Sequence, residues 1–166
     1  MQDIIKKHVL NGEFESVKNL MSVTDFLDFE EAYISSAHDE ESVLFYTCLL
    51  DMIKDEETPE IHDLAFLLLV YPLSEVPGAL DAAYYHAESS ITLTEGKVVK
   101  SLLQMLLLHA IPTPVISDKK AFDVAKQILK LDPNNKVARN VLKETAKRMD
   151  QVVVDFDELS HYKDVN

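Results

Sequence analysis

The sequence predicts an all-α fold, a short solenoid of stacked antiparallel helical hairpins with about nine helices. Apolar residues recur at helical spacing along almost the whole chain. Only three glycines and six prolines occur in 166 residues, fewer turn formers than a strand-rich fold needs. The chain also repeats itself. A shift of 38 residues aligns Ala83 with Ala121, Ala87 with Ala125, Ile91 with Leu129, Leu93 with Leu131 and Val99 with Val137. A weaker earlier copy pairs Phe45 with Ala83, Leu49 with Ala87 and Ile53 with Ile91. Each unit reads as helix, turn, helix, and small alanines four residues apart let neighbouring helices approach closely. Residues 1–149 are therefore expected to form one helical-repeat domain, a cap at 1–37 and three hairpins at 39–149, followed by an acidic tail at 150–166.

The elements follow in order. Ile4, Ile5, His8 and Val9 mark a first helix that stops at Asn11-Gly12. Phe14, Val17, Leu20 and Met21 mark a second. Ser22 or Thr24 is expected to cap a third, along which run Phe26, Leu27, Phe29, Tyr33 and Ile34, with Asp25 and Asp28 complementing its dipole. Asp39, Glu40 and Glu41 are expected to begin a fourth in the same way. Thr58-Pro59-Glu60 opens a fifth, where proline at the first helical position sacrifices no hydrogen bond. Pro77-Gly78 precedes a sixth, and Thr94 with Gly96 separates it from a seventh, Val98 to His109, apolar enough to lie in the core. After the IPTP loop at 111–114, Ser117-Asp118 caps an eighth. Asp132-Pro133-Asn134-Asn135 turns into a ninth that is expected to end near Met149, beyond which the helical period fades and Val152–Val154 reads either as a short extended piece or as a segment packed back onto the bundle.

Composition bounds the function. With 47% hydrophobic and 27% charged residues the chain is too apolar for disorder. At this length it buries roughly 70% of its unfolded surface. A single cysteine, Cys48, cannot form an internal disulfide, so nothing argues for an oxidising compartment; in the apolar run Val43–Leu50 it reads as a buried small side chain. The first residues, MQDIIKKHVLNGEFE, lack the pattern of a secretory leader. Apolar runs such as AFLLLV at 65–70 fall far short of the roughly 20 residues that span a bilayer. A soluble, cytoplasmic protein with no membrane contact is expected.

Charge is the feature that points to function. Between Thr24 and Asp63 stand 13 Asp/Glu against one lysine, Lys54, whereas residues 96–149 hold 11 Lys/Arg against four Asp/Glu. Interspersed signs would stabilise helices through i,i+4 pairs worth roughly 0.2–0.5 kcal/mol each, and the 24–63 segment forgoes them. Pooled charge of one sign repels itself but steers an oppositely charged partner. The expected partner is a basic protein. The overall acidic balance argues against nucleic acid as a ligand, because phosphate contacts require clustered Lys/Arg. The expected contacts are Asp25, Asp28, Glu31, Asp39, Glu40, Glu41 and Asp51 as charge partners, with Tyr33 and Tyr46 as anchors, since tyrosine beside carboxylates suits a surface that meets Lys/Arg.

Chemistry-bearing patterns are sparse. No H-E-x-x-H, paired E-x-x-H or zinc-type Cys/His spacing occurs. Glycines at 12, 78 and 96 cannot build a phosphate-cradling loop, and there is no G-x-S-x-G elbow. His62-Asp63 resembles the metal dyad of helical phosphohydrolases, with His38-Asp39 as an imaginable companion. Its place just after Pro59, however, is one where polar residues are expected on dipole grounds alone. His86 and His109, inside apolar helices, read as satisfied core or groove histidines. The chain is expected to be no enzyme and to need neither metal nor cofactor.

Two resemblances add to this. AFDVAKQILKLDPNNKVARNVL at 121–142 resembles the second helix of a tetratricopeptide repeat through Ala121, Ala125, Ile128, Leu129 and Pro133, and GALDAAYYHAESSITLT at 78–94 matches more loosely through Gly78, Ala83, Ser90 and Ile91. The period is 38 rather than 34 and the first-helix signature is missing, so the likeness implies a TPR-like fold more than a function. The order H-D-L-A at 62–65, Y-H-A at 85–87, a Leu-rich helix ending in Pro112, then A-x-x-x-A-K-Q-I-L-K-L-D-P-N-N, is similar to that of helical immunity proteins of bacterial polymorphic toxins. That resemblance implies a cognate toxin domain, often a basic nuclease, as the partner, blocked by occlusion. The alternative is a TPR-like scaffold that grips a peptide in the concave face of the repeats at 78–149.

Overall fold

The structure, a computed structural model, describes the backbone of residues 1–161 and the side chains of residues 1–150. Among the described residues there are nine helices and no strand: α1 Gln2–Leu10, α2 Phe14–Ser22, α3 Phe26–Glu40, α4 Leu44–Asp55, α5 Pro59–Val70, α6 Ala79–Leu93, α7 Val99–Ala110, α8 Asp118–Leu131 and α9 Lys136–His161. The all-α class read from spacing and composition is thus the observed one. None of the described helices is long and apolar enough to cross a membrane.

Helix starts follow local hydrogen-bond chemistry. Thr58 caps α5 by accepting from the Ile61 N–H at 3.3 Å, with Pro59 in the first turn. Ser117 caps α8 through the Lys120 N–H at 3.2 Å, and the Asn135 side chain accepts from the Ala138 N–H at 3.0 Å at the start of α9. The cap of α3 is Asp25, not Ser22 or Thr24. Both hydroxyls turn back on α2, Ser22 donating to the Asn19 carbonyl and Thr24 to the Leu20 carbonyl. The Asp25 carboxylate is left to accept from the Leu27 N–H at 2.9 Å.

Two boundaries differ from the sequence reading. Asp39, Glu40 and Glu41 do not open α4; they close α3, which runs to Glu40, and α4 begins only at Leu44. Glu41 takes the left-handed conformation (φ 46°) at the C-terminal cap, its N–H bonded to the Ala37 carbonyl. A residue with a β-carbon is strained there, and a carboxylate opposes the negative end of the helix dipole. Glu41→Gly is accordingly expected to raise stability by about 1 kcal/mol, read as a higher urea midpoint with an unchanged slope. The other difference is α9, which continues past Met149 to His161, so the extended piece expected at Val152–Val154 is helix. The side chains of the acidic tail lie outside the described residues.

The chain divides into two compact units, Met1–Glu95 and Gly96–Asn166. Glu95 (φ 52°) and Gly96 (φ 64°) are consecutive left-handed residues at that boundary. The first unit packs α5 against α6, α4 and α3, and α1 against α2, α3 and α4. Its core gathers Ile5, Val9, Val17, Phe29, Tyr33, Phe45, Leu49, Leu64 and Leu68. In the second unit α8 packs against α7 and α9. Leu102, Met105, Leu106 and Leu108 of α7 and Ala121, Ala125 and Ile128 of α8 are buried there.

Candidate functional site

The acidic residues singled out from the sequence separate into three groups. At the N-terminal end of α3, Asp25 spends its carboxylate on its own helix, accepting from the Leu27 and Asp28 amides. Asp28 and Glu31 are exposed, and neither carboxylate has a hydrogen-bond or ion-pair partner among the described residues. At the other end of α3, roughly 18 Å away for twelve residues of helix, Glu40 pairs with Lys6 and Asp39 accepts from the Gln2 amide at 3.0 Å. Asp39, Glu40 and Glu41 therefore do not share a patch with Asp25, Asp28 and Glu31.

Asp51 belongs to a third group. Lys18 of α2 donates to Asp51 at 2.7 Å, to Glu15 at 2.8 Å and to Asp55. These three carboxylates lie close enough together to hold a metal ion, but the ammonium already stands among them. Hydrogen bonds to Asp51, then Asp55 and Glu15, push the Lys18 ammonium upward from its ordinary value, and Lys18 holds Asp55 below its own. Asp51 is thus locally neutralised rather than displayed.

One of the two tyrosine anchors needs correction. Tyr33 is fully buried; its hydroxyl donates to the Phe45 carbonyl at 2.7 Å and its ring packs edge-on against Phe45. It lies on the Phe29–Tyr33–Ala37 stripe of α3 that faces the core, so it cannot meet a partner. Tyr46 is half-buried, and its hydroxyl bonds to His86 Nε2 at 2.9 Å.

That bond begins a chain which the sequence reading did not find. His86 Nδ1 meets His62 Nδ1 at 2.8 Å, and His62 Nε2 meets the Glu57 carboxylate at 2.9 Å. Both imidazoles have no exposed surface, and Tyr85 lies edge-on to each. A carboxylate only accepts, so His62 donates through Nε2; with both rings neutral, its Nδ1 accepts from His86 Nδ1–H, and His86 Nε2 accepts from Tyr46. Burial, then the neighbouring His62, pulls His86 down to about 4. Asp63 turns elsewhere, accepting from Ser90 at 2.7 Å. The His62-Asp63 pair, read from the sequence as ordinary helix-start polarity, is instead buried and divided between two α5–α6 contacts. The one available signal was that His62 and His86 each interrupt an apolar helix face.

Chemistry elsewhere is structural. The Cys48 thiol is buried and pushed up to about 11 by that burial, which leaves it protonated and unreactive near neutrality. In the second unit, Arg148 donates to both oxygens of Asp118, at 2.9 and 2.7 Å, and His109 Nε2 lies 2.7 Å from the same carboxylate. The Arg148 hydrogen bonds, with His109 assisting, hold Asp118 down to about 2 and tie α7, α8 and α9 together.

The first unit also bears two surface grooves. One, of about 470 Å³, has Phe26, Met52 and Ile61 as an apolar floor and Lys18, Asp55 and Glu60 along it. The other, of about 410 Å³, lies between α3 and α5 and is lined by Leu27, Glu30, Glu31, Ile34, Leu67 and Tyr71. Leu27 is 67% exposed and Tyr71 59%. Against this geometry the comparisons add nothing: no protein-family model, curated protein or solved structure matches the chain.

Proposed function

We propose that this chain is a non-enzymatic binding protein that covers a basic protein domain with the acidic surface of its Met1–Glu95 unit. That unit carries 20 Asp/Glu against four Lys/Arg, so its field is strongly negative whatever the detailed placement of each side chain. The observation that carries the reading is the pair Asp28 and Glu31, exposed carboxylates with no partner among the described residues. Like charges left three residues apart on a helix destabilise it slightly, and a cationic partner would remove that cost. Asp25, committed to capping α3, and Glu40 and Asp51, tied to Lys6 and Lys18, take a secondary role. The immunity-type form of the proposal, occlusion of a toxin domain in the cytoplasm with a nuclease as the expected target, rests on the resemblance in residues 62–65, 85–87 and 121–135. The reading extends to helical-hairpin repeats within each unit. Its support is that Ala83, Ala87, Ala121 and Ala125, small residues at equivalent repeat positions, are fully buried.

The test compares wild type with Asp28→Lys/Glu31→Lys as bait in lysate of the native host. A basic protein should be retained by wild type, and its association rate should fall at least tenfold in the variant and again in high salt. Equal retention by both baits, with no dependence on salt, would overturn the proposal.

A further inference from the structure

We infer that the groove between α3 and α5 is the docking point for an amphipathic basic helix of the partner. This inference rests on the binding reading above and narrows it to one place. Leu27, Glu30, Glu31 and Ile34 fall at positions i, i+3, i+4 and i+7 of α3, the spacing of a single helix face. Such a face is ordinarily covered by the protein's own core. Here the fully covered stripe of α3 is a different one, Phe29–Tyr33–Ala37; of the Leu27–Ile34 face, Ile34 packs at the edge of the core while Leu27 stays exposed, with Leu67 of α5 and the exposed Tyr71 at its C-terminal cap alongside.

The occupant follows from what lines the groove. Leu27, Ile34, Leu67 and Tyr71 offer apolar contact over the distance from Leu27 to Ile34, about 10 Å or two helical turns. Glu31, exposed, sits midway along that length, so a bound segment needs apolar side chains at its two ends and Lys or Arg between them. Both walls are helices, whose backbone hydrogen bonds are internally satisfied, so no strand edge is available for an extended peptide. A helix laid in a groove is the recognition mode that remains. The second groove of the unit is a poorer candidate for a basic ligand, because the Lys18 ammonium already lies in it.

The probe is a fluorescein-labelled synthetic helical peptide with leucines at the two ends of one face and lysines between them, titrated into the full chain and followed by anisotropy. Leu27→Ser/Tyr71→Ser changes two exposed residues and leaves the core alone; it should weaken binding at least tenfold. Glu56→Lys/Glu60→Lys, on the rim of the other groove, should change affinity less than threefold. The same peptide with glutamate in place of lysine should not bind. If the Leu27/Tyr71 variant binds the lysine peptide as well as wild type does, the groove is not the dock. Should Asp28→Lys/Glu31→Lys still lose the basic host protein in that case, the wider binding proposal survives and only its location fails. A dimer of the peptide-free protein that Leu27→Ser dissolves would overturn the assignment in favour of a second copy of this chain.

Discussion

His86→Leu should destabilise the Met1–Glu95 unit by about 2–4 kcal/mol at neutral pH and flatten its response to acid. Leucine fills much of the space but offers no nitrogen, so the His62 Nδ1 and Tyr46 hydroxyl that meet His86 lose a partner together. Each polar group left buried and unsatisfied costs about 1–3 kcal/mol. The pH term has a definite sign. His86 is held from its ordinary 6.5 down to about 4 in the folded chain. Its contribution is therefore complete above pH 6.5, shrinks as the unfolded chain takes up the proton, and is gone once the pH has fallen through 4. The full span corresponds to about 3 kcal/mol. Urea midpoints measured by circular dichroism between pH 7 and pH 4 should fall more steeply for wild type than for the variant. Parallel curves would show that the imidazole does not carry the acid sensitivity.

The largest single loss is expected at Phe45→Ala, about 3–5 kcal/mol. Phe45 is fully buried, its ring 5.5 Å from that of Tyr33 at nearly a right angle, and the Phe29 ring lies 5.4 Å from Tyr33, tilted by 36°. The Phe45 carbonyl survives the substitution and still accepts from Tyr33, so the loss measures packing rather than a hydrogen bond. A chemical-denaturation midpoint that drops with unchanged slope is the expected signature. Leu44→Ala next door, where the side chain is 37% exposed, should cost under about 1 kcal/mol. Equal effects at the two positions would mean that this aromatic column does not hold α3 to α4.

What the sequence disclosed and what it concealed divide along the range of the interactions involved. The starts of α5, α8 and α9 were legible because Thr58-Pro59, Ser117 and Asn135 act on amides three residues away. The acidic triplet at 39–41 was misleading because a run of carboxylates normally marks a helix start, whereas here Lys6 and Gln2 of α1 compensate it at a helix end. Tyr33 was misjudged although its register with Phe29 and Ala37 marks it as core; composition drew attention to its neighbours' charge and away from that period. Exposure of Asp28 and Glu31 was readable, but which carboxylates remain unpaired was not, since Lys18 reaches Asp51 and Asp55 across 33 and 37 positions. The contact between His62 and His86 spans 24 residues and becomes visible only when α5 and α6 are laid side by side.

Glu57 stands at the rim of the first unit, its side chain 49% open to solvent, yet it governs the interior. Because its carboxylate can only accept a hydrogen bond, it orders every hydrogen behind it while both rings are neutral, through His62 and His86 to Tyr46, so that a ring it never touches carries the less common Nδ1–H tautomer. Nitrogen spectroscopy of two enclosed imidazoles would thus report on the charge of a single residue at the water's edge.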